Sequence, residues 1–267
     1  MVELDFLESE EILGEKRLDI FKWFGANVKA TDFAIMLGAY VPKFFRLNTQ
    51  KLEMNTSYWT KTIDNYANAY FIDSYGQKIS KKVTSRTLSV RPVIRNVSRL
   101  NLEERPYNTS TGTKFVYFGE YPQSFVGSYL NQELSTEYFM KTIKETGRVF
   151  TIETESDYSP IKREELKEYE YKGKKYVKVR NTRIAPDTIF SNGTIAHPDA
   201  SYWFRVEPIT WIVDKKTDIA VSQNALFCGV QYNSKEIPGL DFISSDIKWF
   251  IDNIFQKKYL LILYMTW

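Results

Sequence analysis

Few side chains in this 267-residue chain can do covalent chemistry, for it holds one histidine, His197, and one cysteine, Cys228. His197 lies in Ile195-Ala-His-Pro-Asp, a proline-flanked loop. A general base beside Asp199 is its functional reading. No Gly-x-Ser-x-Gly or comparable nucleophile context accompanies it, so it reads as an ordinary loop histidine. Cys228 sits in the apolar run Ala225-Leu-Phe-Cys-Gly-Val with no basic neighbour to lower its pKa, and reads as a buried structural thiol. A lone cysteine forms no intrachain disulfide and cannot furnish a Cys-rich zinc site. No metal and no cofactor is therefore expected. The carboxylate pairs Glu164-Glu165 and Asp241/Asp246 lack glycosidase context and read as solvated. There is no P-loop, Gly-x-Gly-x-x-Gly or His-Glu-x-x-His motif. No catalytic residue is assigned, and the inventory points away from an enzyme.

Recognition chemistry is better supplied. Aromatic residues make 16% of the chain, and its net charge of +3 is too small to demand a polyanionic partner. Charge is concentrated locally, however. Residues 162–183 hold nine Lys/Arg against four Glu, with Tyr169, Tyr171 and Tyr176 interleaved. Such a segment can track a phosphate backbone while tyrosine faces stack on bases. Its residues for that role are Lys172, Lys174, Lys175, Tyr176, Lys178, Arg180 and Arg183. The bland alternative is a solvated hairpin with its tyrosines on the core. Trp59, Trp203 and Trp211 can line a ligand surface or, by strand alternation, fill a core. Arg91, before Pro92, can grip a carboxylate or phosphate bidentately, or make a structural salt bridge to a buried acid.

These residues need elements to position them. The pattern predicts a helix over 9–24, capped by Ser9 and ended by Gly25, and a short helix from Thr31-Asp32 to Leu37, stopped by Gly38. Short strands follow at 58–62, 69–73 and 89–94, the last carrying Pro92 at an edge or bulge. Residues 99–113 are polar and turn-rich and read as a linker. Strand restarts at Lys114–Pro122. Residues 130–146 read as a helix ending at Gly147, and 149–153 as strand. Residues 168–180 form two alternating strands around Lys172-Gly173, a hairpin signal. Residues 202–214, 218–222 and 224–230 read as strand. Residues 244–255 form an amphipathic helix capped by Ser245, with Ile247, Phe250, Ile251, Ile254 and Phe255 inward. The apolar Tyr259–Trp267 reads as a buried last strand. The fold class expected is α+β, with short, mostly antiparallel strands and a few flanking helices. The acidic opening has no apolar stretch of signal-peptide length and no run reaches a membrane span, so a cytoplasmic location and no membrane span are expected.

Four strings then resemble a family: Phe118-Gly-Glu-Tyr-Pro-Gln123, Glu207-Pro-Ile-Thr-Trp-Ile-Val213, Gln231-Tyr-Asn233 and Ile247-Lys-Trp-Phe-Ile-Asp-Asn-Ile-Phe255. They are similar to the opening half of bacterial DUF6273-type domains. The closing motifs of that family have their counterparts earlier in this chain, in Asp32-Phe-Ala-Ile-Met-Leu37, Tyr58-Trp-Thr-Lys-Thr62, Ala69-Tyr-Phe-Ile-Asp-Ser-Tyr-Gly76 and Val90-Arg-Pro-Val93. Residues 1–98 thus resemble the closing half and 114–267 the opening half, in permuted order across the 99–113 linker. The resemblance implies a C-type-lectin-like or formylglycine-generating-enzyme-like (sulfatase-modifying-factor-like) core. It does not bring catalysis, since formylglycine generation uses paired cysteine chemistry. The expectation that follows is a non-enzymatic recognition module acting on a protein or glycan through Trp59, Arg91, Tyr202, Trp203 and Arg205. The alternative is a nucleic-acid or nucleoprotein binder using 162–183, of the kind a mobile element encodes against a host system.

Overall fold

The structure, a computed structural model, describes residues 3–42, 54–100, 103–104, 114–128, 142–154, 162–180, 184–185, 187–198, 200–214 and 216–260. It is α+β, with mostly antiparallel sheets and few helices. The chain runs through β1 (Glu3–Asp5), α1 (Ser9–Ile12), α2 (Asp19–Phe24), β2 (Val28–Ala30), α3 (Asp32–Met36), β3 (Asn55–Thr56), β4 (Tyr58–Asn65), β5 (Asn68–Ile72), β6 (Lys78–Lys82) and β7 (Val93–Arg95). It continues through β8 (Glu103–Glu104), β9 (Lys114–Gly127), β10 (Lys144–Thr154), β11 (Lys162–Tyr171), β12 (Lys174–Arg180), β13 (Ser201–Asp214), β14 (Ile219–Ser222), β15 (Asn224–Ala225) and α4 (Asp246–Phe250), which passes into a π-helix, Ile251–Leu260.

The long β13 organises the main sheet. One of its edges pairs with β12 through Ser201–Arg205 and with β14 through Trp211–Asp214. Its other edge pairs with β9, with register shifts at Trp203/Phe204, Arg205/Val206 and Pro208/Thr210. Pro208 has no N–H to give a ladder, and bulges add local twist, so the strand bends there. Strands β11 and β10 extend the β12 side; β7 and β1 extend the β14 side. The sheet curls until β10 returns toward β9. Arg148 on β10 donates to the Glu120 carbonyl of β9 at 3.2 Å, and the rings of Phe150 and Tyr121 meet edge-on at 5.8 Å. The π-helix fills the gap, its Tyr259 stacked on Phe150 at 4.9 Å. Two three-stranded sheets, β15-β2-β3 and β4-β5-β6, lie beside it.

The stretches before and after the expected linker share one core. Phe6, Phe33, Trp59 and Val90 are buried in the same cluster as Trp211, Phe227, Tyr232 and Phe250. Within 99–113, Arg99 closes a 3₁₀ turn and β8 pairs with β9; residues 105–113 lie outside the described residues.

Several local expectations hold. Thr31 caps α3, its Oγ1 accepting from the Ala34 N–H at 3.1 Å, and Ser245 accepts from the Lys248 N–H at 3.3 Å. Four are corrected. The strand expected over 224–230 is confined to Asn224–Ala225, followed by a single bridge between Phe227 and Val90. The 9–24 helix is two helices, because Gly14-Glu15-Lys16-Arg17 supplies no apolar face and the chain turns there; α1 is capped one residue earlier than expected, by Glu8, whose N–H donates to the Glu11 carboxylate at 2.8 Å. Residues 144–146 are strand, with a bulge before Val149 and Gly147 at φ +83°; the 130–146 helix otherwise falls almost wholly outside the described residues. Tyr259 and Leu260 end a helix rather than begin a strand, since both point into the core; residues 261–267 lie outside the described residues.

One glycine is fixed by close approach. Gly119 has φ +74°, and a Cβ there would lie 2.6 Å from Leu260 Cδ2 and 2.9 Å from the Tyr259 carbonyl oxygen. Gly119→Ala is expected to destabilise by about 2–3 kcal/mol, combining left-handed strain with overlap against the π-helix. Gly147→Ala, at similar φ with nothing within 4 Å, is the control and should cost only the backbone part. Urea unfolding of both checks this; equal losses would remove the packing argument.

Candidate ligand-binding cleft

A cleft of about 500 Å³ opens where β2, α3, the far end of β9, the 190–194 turn and β15 meet. Its polar lining includes Lys29, Asp32, Gln123, Ser124, Asn192 and Asn224. Local chemistry sets each one. Thr31 Oγ1 donates to the Leu226 carbonyl at 3.1 Å, which fixes the start of α3 beside β15. Asp32 follows, buried to 6% exposure, and its carboxylate clasps two distant segments. It accepts the Ser191 N–H at 2.7 Å, the Ser191 hydroxyl at 2.8 Å and the Phe125 N–H at 3.0 Å. The 190–194 turn is closed by Phe190 N–H to Thr194 O at 2.9 Å and by Asn192 Oδ1 accepting the Thr194 N–H at 3.0 Å. Phe190 pins this turn by stacking on Phe125 at 4.4 Å.

These contacts decide what the cleft presents. The Asp32 carboxylate accepts three donors from within the protein, which tie it to the 190–194 turn and to β9. Ser191 spends its hydroxyl on Asp32, and Ser124 donates its own to Glu207 at 2.6 Å. Gln123 Nε2 donates to the Glu207 and Pro208 carbonyls, both at 3.0 Å, leaving its own carbonyl open. Among the described residues, the Asn224 amide, the Lys29 ammonium and the Asn192 NH₂ have no hydrogen bond. The arrangement therefore offers donors and acceptors for hydroxyl groups. Among the described residues, no three His, Cys, Asp or Glu side chains are grouped to hold a metal ion.

The residues expected from sequence lie elsewhere. Trp59 is 1% exposed, edge-on to Tyr232 at 5.4 Å. Arg91 is 5% exposed; its Nε donates to the Ser222 carbonyl at 3.1 Å and its guanidinium lies 5.4 Å from both the Phe21 and Tyr58 rings. The salt bridge to a buried acid expected as its structural role is not formed among the described residues: a carbonyl, a hydroxyl and two ring faces hold the cation instead. Burial pushes the neighbouring Tyr58 hydroxyl upward. Tyr202 is buried, its hydroxyl accepting the His197 N–H at 2.8 Å. Trp203 is buried in a small cluster with Tyr171 and Tyr176 on the other side of the sheet. Of these five, Arg205 alone reaches the surface; it pairs in register with Ser124 of the cleft wall and with Tyr176.

The hairpin forms as expected, with Lys172 at φ +49° and Gly173 at φ +70° in its two-residue turn. Alternation divides its side chains. Val177 and Val179 face the core, and Lys175 turns the same way to reach Glu120 at 2.9 Å. Lys174, Tyr176, Lys178 and Arg180 take the opposite face. Arg183 lies outside the described residues. His197 is an exposed loop residue, and Asp199 lies outside the described residues. Cys228 is buried, its thiol pushed up to about 12 by that burial.

Sequence reasoning missed Lys29, Asn192 and Asn224. Asp32 and Gln123 were visible only as a helix start and a motif end. The available signals were the turn dipeptide Asn192-Gly193 and the fact that Asp32 and Gln123 belong to the two separate motif sets. Comparison with protein-family models, with curated proteins and with solved structures returned no match to the chain.

Proposed function

We propose that this chain is a non-enzymatic recognition module whose cleft receives a hydroxyl-rich ligand, a segment of glycan, on a lectin-like core. One observation carries the reading: the cleft's open groups are amides and an ammonium, while its carboxylate is already engaged by Ser191 and Phe125. Sugar hydroxyls both donate and accept, so they match such a mixed lining. A protein partner would need a larger apolar centre than Ala30 and Met54 supply. The lectin-like part is supported by the meeting of Asp32 and Gln123, one from each motif set, at a single cleft.

Each hydrogen bond to the ligand contributes about 0.5–1.5 kcal/mol net. Asn192→Ala and Asn224→Ala are each expected to weaken glycan binding about 3- to 10-fold with the fold intact. A glycan array followed by calorimetry on the best binder checks this. Binding to no glycan, or binding indifferent to both substitutions, contradicts the reading. Hydrolysis or modification of the bound glycan contradicts its non-enzymatic part.

A further inference from the structure

The outward face of β11, β12 and the first half of β13 holds four cations, Lys172, Lys174, Lys178 and Arg205, that no carboxylate among the described residues pairs with. Beyond the backbone ladders, the Lys174 and Arg205 side chains make no hydrogen bond or ion pair among the described residues. Lys172 and Lys178 rest over the rings of Tyr171 and Trp203, at 5.3 and 5.7 Å. Three nearby carboxylates are engaged elsewhere, Glu165 with Lys258 at 3.1 Å, Glu145 with Lys167 at 3.0 Å and Glu207 with Ser124 at 2.6 Å, while Glu170 stands opposite Lys175 on the other face. Lys175, by contrast, is tied inward to Glu120.

We propose that this face binds the phosphate backbone of a single-stranded nucleic acid, independently of the cleft. Residues two apart on a strand stand roughly 6.6–6.8 Å apart. Lys174 and Lys178 flank Tyr176 and so set two charges roughly 13 Å apart along β12, a span that an extended polynucleotide backbone can follow. Arg205 on the neighbouring strand, beside Tyr176, widens the track. The floor beneath is rigid, because Tyr171, Tyr176 and Trp203 pack on one another and Tyr169 meets Trp203 edge-on at 5.5 Å. Tyr171 and Tyr176 are only 6% and 8% exposed, so neither offers a base a free stacking face. Binding is thus electrostatic and blind to base and sugar.

The test is fluorescence anisotropy with oligo-dT, oligo-U and polyglutamate. Four phosphate contacts give a slope of log K against log salt of about −2.8, or a loss of about 50-fold between about 50 and about 200 mM salt. Replacing Lys174, Lys178 and Arg205 by Gln should reduce that slope by about 2 and leave the near-UV circular dichroism unchanged. Equal affinity for oligo-dT and oligo-U, with weaker polyglutamate binding, supports the proposal. No binding at low salt, a slope unchanged in the triple variant, or tighter binding of polyglutamate overturns it.

Discussion

Replacing Arg148 by alanine is expected to destabilise the protein by about 3–5 kcal/mol, the loss typical when one partner of a buried ion pair is removed. Arg148 stands where the curled sheet closes. Its Nη1 reaches Glu120 at 2.9 Å and Glu168 at 3.5 Å, its Nη2 donates to the Glu120 carbonyl, and its guanidinium lies 4.8 Å from the Phe150 ring centroid. Glu168 is 1% exposed, and its Oε2 has no hydrogen-bond partner among the described residues; Thr146 serves Oε1 at 2.7 Å. Without Arg148 the Glu168 carboxylate is a buried charge with one hydroxyl for company. The same change removes the side-chain tie between β9 and β10. Adding Glu168→Gln should recover a large part of the loss, because the uncompensated charge goes with it. Urea unfolding of the two single variants and the double measures the coupling. Additive losses would show that Arg148 is not coupled to Glu168.

The second large effect is on pH. Glu153 is buried at 7% exposure on β10, and burial, opposed by Arg163, raises its carboxyl from 4.5 to about 7. Arg163 donates to its Oε1 at 3.1 Å, while Oε2 has no hydrogen-bond partner among the described residues. Arg86 also lowers the value and Asp246 raises it. The folded state therefore holds this proton more tightly than the unfolded chain. The stability it contributes is fully present below about pH 4.5 and is lost as pH rises through about 7. A span of about 2.5 pH units corresponds to about 3 kcal/mol. Glu153→Gln keeps the neutral form at every pH. Its stability relative to the parent chain should grow by about 2–3 kcal/mol between pH 5 and 8, read from urea midpoints. Parallel stability curves would contradict the assignment.

Much of the fold is legible residue by residue where local chemistry decides it. Lys172-Gly173 between alternating strands announces the hairpin, and Thr31 and Ser245 announce α3 and α4. The 9–24 helix misleads because Leu13 and Leu18 bracket Gly14-Glu15-Lys16-Arg17 near helical spacing, although those four residues give the helix no apolar face. Long-range register is what the sequence hides. Nothing local says that Lys175 faces the core side while Lys174 faces solvent, or that Arg91 rests between Phe21 and Tyr58. The cleft is hidden for the same reason. Asp32 reaches it by accepting two backbone N–H groups, from Phe125 and Ser191, which carry no side-chain signature. Tyr202 and Trp203 are adjacent in sequence yet face opposite sides of β13, so naming them together as one surface joined residues that the pleat separates.

The most direct measurement is an amide-shift titration of the isotope-labelled protein with a glycan that binds it. The account predicts progressive shifts at residues 29–32, 123–124, 191–193 and 224, with β11 and β12 unmoved near their turn. Saturable shifts confined to any other region, with those positions still, would contradict the cleft as the recognition site.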